Sequence, residues 1–250
     1  MEEMKNHFFM WVMTGLMTTL LATGCASKSH AVAGRQQVTY RDQDNWKIYG
    51  DLYKVGSSKG GAVVLLHQRN GAASDWDPLI PLLKRAGITV LAIDQRGAGR
   101  SIGPENGLSA PWNTEPDIAG AIRYLEDHVH IKAGRIGLCG ASYGANNALR
   151  YAARTKNIPA VVLLSPGTDY HGLTVRSAAA EYKGPMLILS SKDDPIPEGG
   201  PQLINQLAKG PHEMLLYDGS RHGTDILTQY PAACNQISRF FSEHLVSGKR

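Results

Sequence analysis

Arg135-Ile-Gly-Leu-Cys-Gly-Ala-Ser-Tyr-Gly-Ala145 runs on into Asn146-Asn-Ala-Leu-Arg-Tyr-Ala-Ala153. An apolar run breaks at a cluster of small residues and resumes as a helix-forming stretch, so the local reading is strand, sharp turn, helix. A serine in such a turn, here Ser142, is held in a strained backbone conformation and lifts its Oγ clear of the sheet. The glycines two residues to either side, Gly140 and Gly144, leave out the Cβ atoms that would clash. Strain of this kind costs about 1–3 kcal/mol, so the surrounding fold must over-determine it.

The flanking chain supplies that fold. Two alternating runs, 37–41 and 46–55, suit an antiparallel pair, and Gly61 to Leu66 is a continuous apolar run of the kind covered on both faces. Strand-like segments recur at 88–93, 135–139, 160–164, 185–189 and 213–217. Between them lie helical patterns. Trp76, Leu79, Ile80 and Leu83 share one helix face behind a Ser74/Asp77 cap; Ile118, Ala121, Ile122 and Leu125 share another behind Thr114 and Asp117. Further helices are expected over 173–182 and 201–209, and one long helix over 225–245. The pattern predicts a single α/β domain over 37–250: a mostly parallel central sheet with an antiparallel N-terminal hairpin and helices on both faces. Right-handed crossovers then bring the loops after the strands to one edge, where such sheets bind ligands. His67, Asp94, Ser142 and the loops after Leu164 and Leu189 all belong to that edge.

Gly140-Ala-Ser142-Tyr-Gly144 resembles the nucleophile elbow of the α/β-hydrolases. Asp94-Gln-Arg-Gly-Ala-Gly-Arg-Ser101 is similar to a conformational turn of the same family. Ser190-Ser-Lys-Asp-Asp-Pro195 resembles its acid-bearing segment with serine in the place of a glycine, and His222-Gly223 resembles the histidine-bearing loop before its last helix. The resemblance implies a compact serine hydrolase of the dienelactone-hydrolase, esterase and peptidase-like branch, with serine where dienelactone hydrolases carry cysteine. By it, Ser142 is the nucleophile, His222 the general base and Asp193, in register, the acid that orients His222. Asp194 is the rival by a one-residue slip, and Asp169, after the sixth strand, is a third choice. Tyr143 N–H implies one oxyanion donor. The other belongs to His67-Gln-Arg-Asn70, where Arg69 holds the position and Gln68 is the alternative; His67 braces that loop. About twenty residues separate the sixth and seventh strands, too few for a cap, so the site is expected to be open. The chemistry needs no cofactor and no metal: His128 and His130 lack a third ligand. The expected reaction is carboxylic-ester hydrolysis through an acyl-enzyme on a small ester or acyl substrate. A peptidase or amidase, or a non-catalytic envelope binding protein, are the alternatives.

A net charge of +4 over 250 residues, with no basic run, gives no support to nucleic-acid binding. Residues 8–21 carry no charge and are too short to span a bilayer comfortably, which suits an export signal over 1–24. A start at Met4 would remove the acidic Glu2 and Glu3. Leu21-Ala-Thr-Gly-Cys25 looks like a bacterial lipobox, which implies lipidation of Cys25, a tether over 25–36 and an outer-membrane anchor in the cell envelope facing the periplasm. Cys139 and Cys234 read as buried small hydrophobes rather than a disulfide.

Overall fold

The computed structural model describes residues 32–56, 61–102 and 112–246. The expected signal, Cys25 and most of the tether lie outside the described residues. Eight strands form one sheet in the order β1-β2-β4-β3-β5-β6-β7-β8. β1 (Gln36–Arg41) pairs antiparallel with β2 (Lys47–Tyr53), and β2 antiparallel with β4 (Thr89–Asp94). From there β3 (Ala62–Leu66), β5 (Ile136–Ala141), β6 (Val161–Leu164), β7 (Met186–Ser191) and β8 (His212–Tyr217) run parallel to β4.

The continuous apolar runs are buried on both faces because the strand period of two divides them between two cores. Val64, Leu66, Leu91, Ile93 and Leu138 point to the side covered by α2 (Glu115–Val129), α3 (Tyr143–Thr155), α4 (Arg176–Glu181) and α5 (Gly200–Leu207). Val63, Leu65, Val90, Ala92 and Cys139 point to the other, where α1 (Ile80–Arg85) and α7 (Pro231–Phe241) bring Ile80, Leu83, Cys234, Ile237 and Phe241. Each fully buried Leu, Ile or Phe contributes about 1.5–3 kcal/mol. Cys139 and Cys234 are free and buried, and burial pushes both thiols up, Cys234 to about 11.

Four local expectations are corrected. The last helix is broken: α6 (Asp225–Gln229) stops at Tyr230, whose extended φ of −125° and ψ of 86° precede Pro231, and α7 starts afresh on that proline. The helix expected over 173–182 is only α4, because Leu173 N–H and Val175 N–H are drawn back to Tyr170 O and Thr168 O, at 3.1 and 3.3 Å, and hold that stretch in a turn. Ser74 and Asp77 do not cap α1; a 3₁₀ turn over Ala73–Trp76 comes first, and Asp75 accepts Ala72 N–H at 3.2 Å. Thr114 gives its hydroxyl to Gln95 Oε1 at 2.8 Å instead of capping α2, while Asn113 accepts Glu115 N–H at 3.1 Å. Asp117, freed from capping, turns inward to Arg96.

Candidate active site

Ser142 sits between β5 and α3 at φ 54°, ψ −123°, a region that L-residues rarely occupy. Its backbone is tied on both sides. Ser142 N–H donates to Leu164 O at 2.8 Å, extending the sheet, and Ser142 O accepts Ala145 N–H at 2.9 Å, opening the helix. A Cβ on Gly144 would lie 2.6 Å from both Leu66 O and His67 O, and one on Gly140 would lie 2.3 Å from Gly144 O. Neither position has room for a side chain, so the spacing of glycines around Ser142 reflects close backbone packing. Tyr143 opens α3, where N–H groups have no intrahelical acceptor and the helix dipole favours negative charge.

His222 follows β8 on the loop to α6. Its Nδ1 lies 2.7 Å from Asp194 Oδ2, with the Asp194 side chain fully buried and the His222 side chain 15% exposed. The expected Asp193 is therefore corrected to Asp194 as the carboxylate that meets His222. The sheet pairing continues past β7: Lys192 N–H reaches Tyr217 O at 2.8 Å and Asp193 N–H reaches Gly219 O at 3.0 Å. Asp193 is thus held at the exposed end of that extension, and Asp194 is the first residue to turn inward. Asp169 accepts Gly172 N–H at 2.6 Å within its own exposed turn. Asp194 takes two more donors: Ser165 Oγ on Oδ2 at 2.9 Å and Ile196 N–H on Oδ1 at 3.1 Å.

A Cβ on Gly223 would lie 2.0 Å from Gln68 Oε1 and 3.5 Å from the Ala141 Cβ, so the His222 loop passes close to the residue before Ser142. Gln68 Oε1 accepts Thr224 N–H at 2.7 Å and the Thr224 hydroxyl at 3.0 Å, so the loop after β3 is bolted to the loop that carries His222. Gln68 O accepts Gly71 N–H at 3.0 Å, closing a turn with Asn70 at φ 59°. His67 is buried and fully engaged: its Nδ1–H donates to Gln68 O at 2.6 Å, and its Nε2 accepts Gln95 N–H at 2.9 Å. Burial lowers its pKa, which keeps the ring neutral in that tautomer. It braces the loop, as the sequence predicts.

The Asp94–Ser101 segment is structural. Asp94 accepts Ala73 N–H at 2.7 Å and the Arg100 Nε–H at 2.5 Å, while the Ser101 hydroxyl donates to Asp94 O at 2.6 Å. Arg96 is buried among Asp117, Asp42 and Asp44, at 2.6, 2.5 and 2.8 Å. Desolvation pushes Asp117 up to about 7 against the pull of Arg96.

Beside Tyr143 opens a cleft of about 450 Å³ lined by Arg69, Asn70, Gly97, Ala98, Ile102 and Trp112. Trp112 stacks on His171 with centroids 3.9 Å apart, meets Tyr143 edge-on, and carries the Arg69 guanidinium 4.6 Å above its ring. Tyr170, after β6, turns its hydroxyl to the Ser142 side chain and to Ser165 O at 3.2 Å; burial raises its pKa to about 12. Trp112, Tyr170 and Ser165 escape sequence reasoning, for each sits in an aperiodic loop and acquires its place only from the sheet order. Among the described residues no group of His, Cys, Asp and Glu could hold a metal ion.

The family model of the alpha/beta hydrolase fold matches residues 61–176. The chain is 20% identical to the solved Pyrococcus furiosus esterase Pf2001 over 84% of its own length and 93% of that chain, with a TM-score of 0.70. Thiohydrolase apmlB of Arthrinium phaeospermum is 30% identical over 132 residues, 52% of this chain and 43% of that protein. Polyketide transferase grgF of a Penicillium species is 27% identical over 164 residues, 64% of this chain and 52% of that protein. The chain thus spans about half the length of the curated relatives it matches. Its fold is the α/β-hydrolase fold.

Proposed function

We propose that the chain is a serine hydrolase that cleaves a carboxylic ester through an acyl-enzyme. The observation that carries this reading is the buried Asp194 carboxylate 2.7 Å from His222 Nδ1, on a histidine loop with no room for a Cβ at Gly223 where it nears Gln68 and Ala141. In this reading His222 Nε2 takes the Ser142 proton as Oγ attacks the ester carbonyl, and Asp194 steadies the imidazolium that forms. Tyr143 N–H and Arg69 N–H hold the oxyanion. Collapse of the tetrahedral intermediate expels the alcohol, which takes its proton from His222. Water, deprotonated by the same imidazole, then releases the acid and restores Ser142.

The family match and the esterase neighbour of the same fold support a hydrolase in general terms. The relative named a thiohydrolase favours thioesters as the second substrate class, since the same acyl-enzyme forms with a thiolate as leaving group. A fluorophosphonate probe is expected to label the protein at Ser142, and Ser142→Ala is expected to abolish both labelling and p-nitrophenyl ester cleavage. Undiminished hydrolysis by the alanine variant would overturn the mechanism. Oxygen esters, thioesters and peptide amides of one acyl group, compared side by side, separate the substrate classes.

The N-terminal sequence supports export and lipidation at Cys25, which would place this chemistry in the cell envelope. Release of a Cys25→Ser variant from the membrane fraction is the expected result. Retention equal to that of the unmodified chain would count against the anchor.

A further inference from the structure

Ser165 follows β6 directly and precedes Pro166. A residue before proline favours extended backbone, yet Ser165 has φ 46° and is fully buried. The sequence around it does not ask for that conformation; its partners do. Ser165 N–H donates to Leu189 O at 2.8 Å, and Ser165 O accepts the Tyr170 hydroxyl at 3.2 Å. Its own hydroxyl donates to Asp194 Oδ2 at 2.9 Å and accepts Gly223 N–H at 3.0 Å. One hydroxyl therefore joins the carboxylate to the peptide immediately after His222, and it binds the same oxygen that faces His222 Nδ1.

We propose that Ser165 is a positioning residue that sets the strength and direction of the Asp194–His222 hydrogen bond. This rests on the assignment of Ser142, His222 and Asp194 above. Two donors share Oδ2, so the Ser165 hydroxyl takes part of the charge that would otherwise favour the imidazolium. With Ile196 N–H on Oδ1, it also stops the carboxylate from rotating out of line with the ring. Through Gly223 the same hydroxyl fixes the loop that presents His222. Tyr170 is a further titratable group that faces Asp194, and Glu198 lies within electrostatic reach of Tyr170. Lys192 lies at the surface beside Asp193 and pairs with Asp218.

Removing the hydroxyl returns the whole of Oδ2 to His222, so the histidine should titrate higher. A residue that only fills space would leave that titration unmoved. The test is Ser165→Ala in the full chain, beside Ser165→Gly, which removes the hydroxyl and tolerates the positive φ. The His222 Cε1–H resonance, assigned by its loss in His222→Gln, is followed against pH together with kcat and KM for a p-nitrophenyl ester. Both variants are expected to raise the His222 midpoint by about half a pH unit or more and to lower kcat about tenfold with little change in KM. A midpoint equal to that of the unmodified protein in the glycine variant overturns the proposal, whether or not the rate falls. The resonance reads the hydrogen bond without turnover, whereas failure of the Ser142 reading shows as absence of fluorophosphonate labelling.

Discussion

Asp194 Oδ2 stands 2.7 Å from His222 Nδ1, while its neighbour Asp193 is exposed and holds Gly219 O through its backbone. One residue of register separates a carboxylate that hydrogen-bonds the imidazole from one that faces water. Asp194→Asn would present the wrong tautomer to His222 and is expected to lower kcat on the order of 10⁴-fold. Asp193→Asn is expected to change it by less than about twofold, as suits an exposed substitution. Initial rates on a p-nitrophenyl ester decide between them, and equal losses in the two variants would contradict this geometry.

The Ser142 turn depends on backbone contact at Gly144. A Cβ there would lie 2.6 Å from two carbonyl oxygens that have no freedom to move, since both belong to the end of β3 and its loop. Gly144→Ala is expected to cost about 4 kcal/mol or more, visible as a lowered midpoint in chemical denaturation or as failure to accumulate folded protein. A midpoint equal to that of the unsubstituted chain would show that β3 and α3 can separate without penalty.

Gln68 ties the loop after β3 to the loop after β8 through Thr224. Gln68→Ala leaves the Thr224 N–H without its acceptor and is expected to cost about 1–3 kcal/mol. Because the same tether joins the loop that carries the candidate oxyanion donor to the loop that carries His222, kcat is expected to fall with it. Thermal unfolding and ester kinetics measured on one preparation check both effects.

Asp117 supplies a pH dependence. Its pKa is raised from the usual carboxylate value to about 7 in the folded chain, with burial the largest cause and Arg96 opposing it. A raised folded pKa means that the folded state holds the proton more tightly, so this contribution to stability is complete below about pH 4 and is lost as pH rises through about 7. Asp117→Asn cannot titrate. The difference in Tm between variant and parent is therefore expected to move in favour of the variant from pH 5 to pH 8. A difference independent of pH would mean that Asp117 is ionised throughout, held by Arg96.

The order of apolar runs and breaks along the chain is enough to predict a mostly parallel sheet with an antiparallel opening pair, because strands buried on both faces need unbroken apolar runs and the helices between them show a period near 3.6. The Ser142 turn is legible for the same reason: Gly140 and Gly144 are spaced by the contacts they must allow, and His222-Gly223 stands before the last helical segment. What the sequence could not decide depends on distances between segments far apart in the chain. Asp193 and Asp194 differ only in whether the pairing of β7 with β8 runs on past Ser191, which is settled by Tyr217 and Gly219 across the sheet. Thr114 and Asp117 have the spacing of a helix cap, but Gln95 and Arg96 compete for them from the end of β4, and buried polar groups go to the partner that leaves none unpaired. Ser165 carries no signal in its own neighbourhood. Its positive φ and its hold on Asp194 exist only because β6 lies between β5 and β7, so that one loop meets the carboxylate from one side and the peptide after His222 from the other.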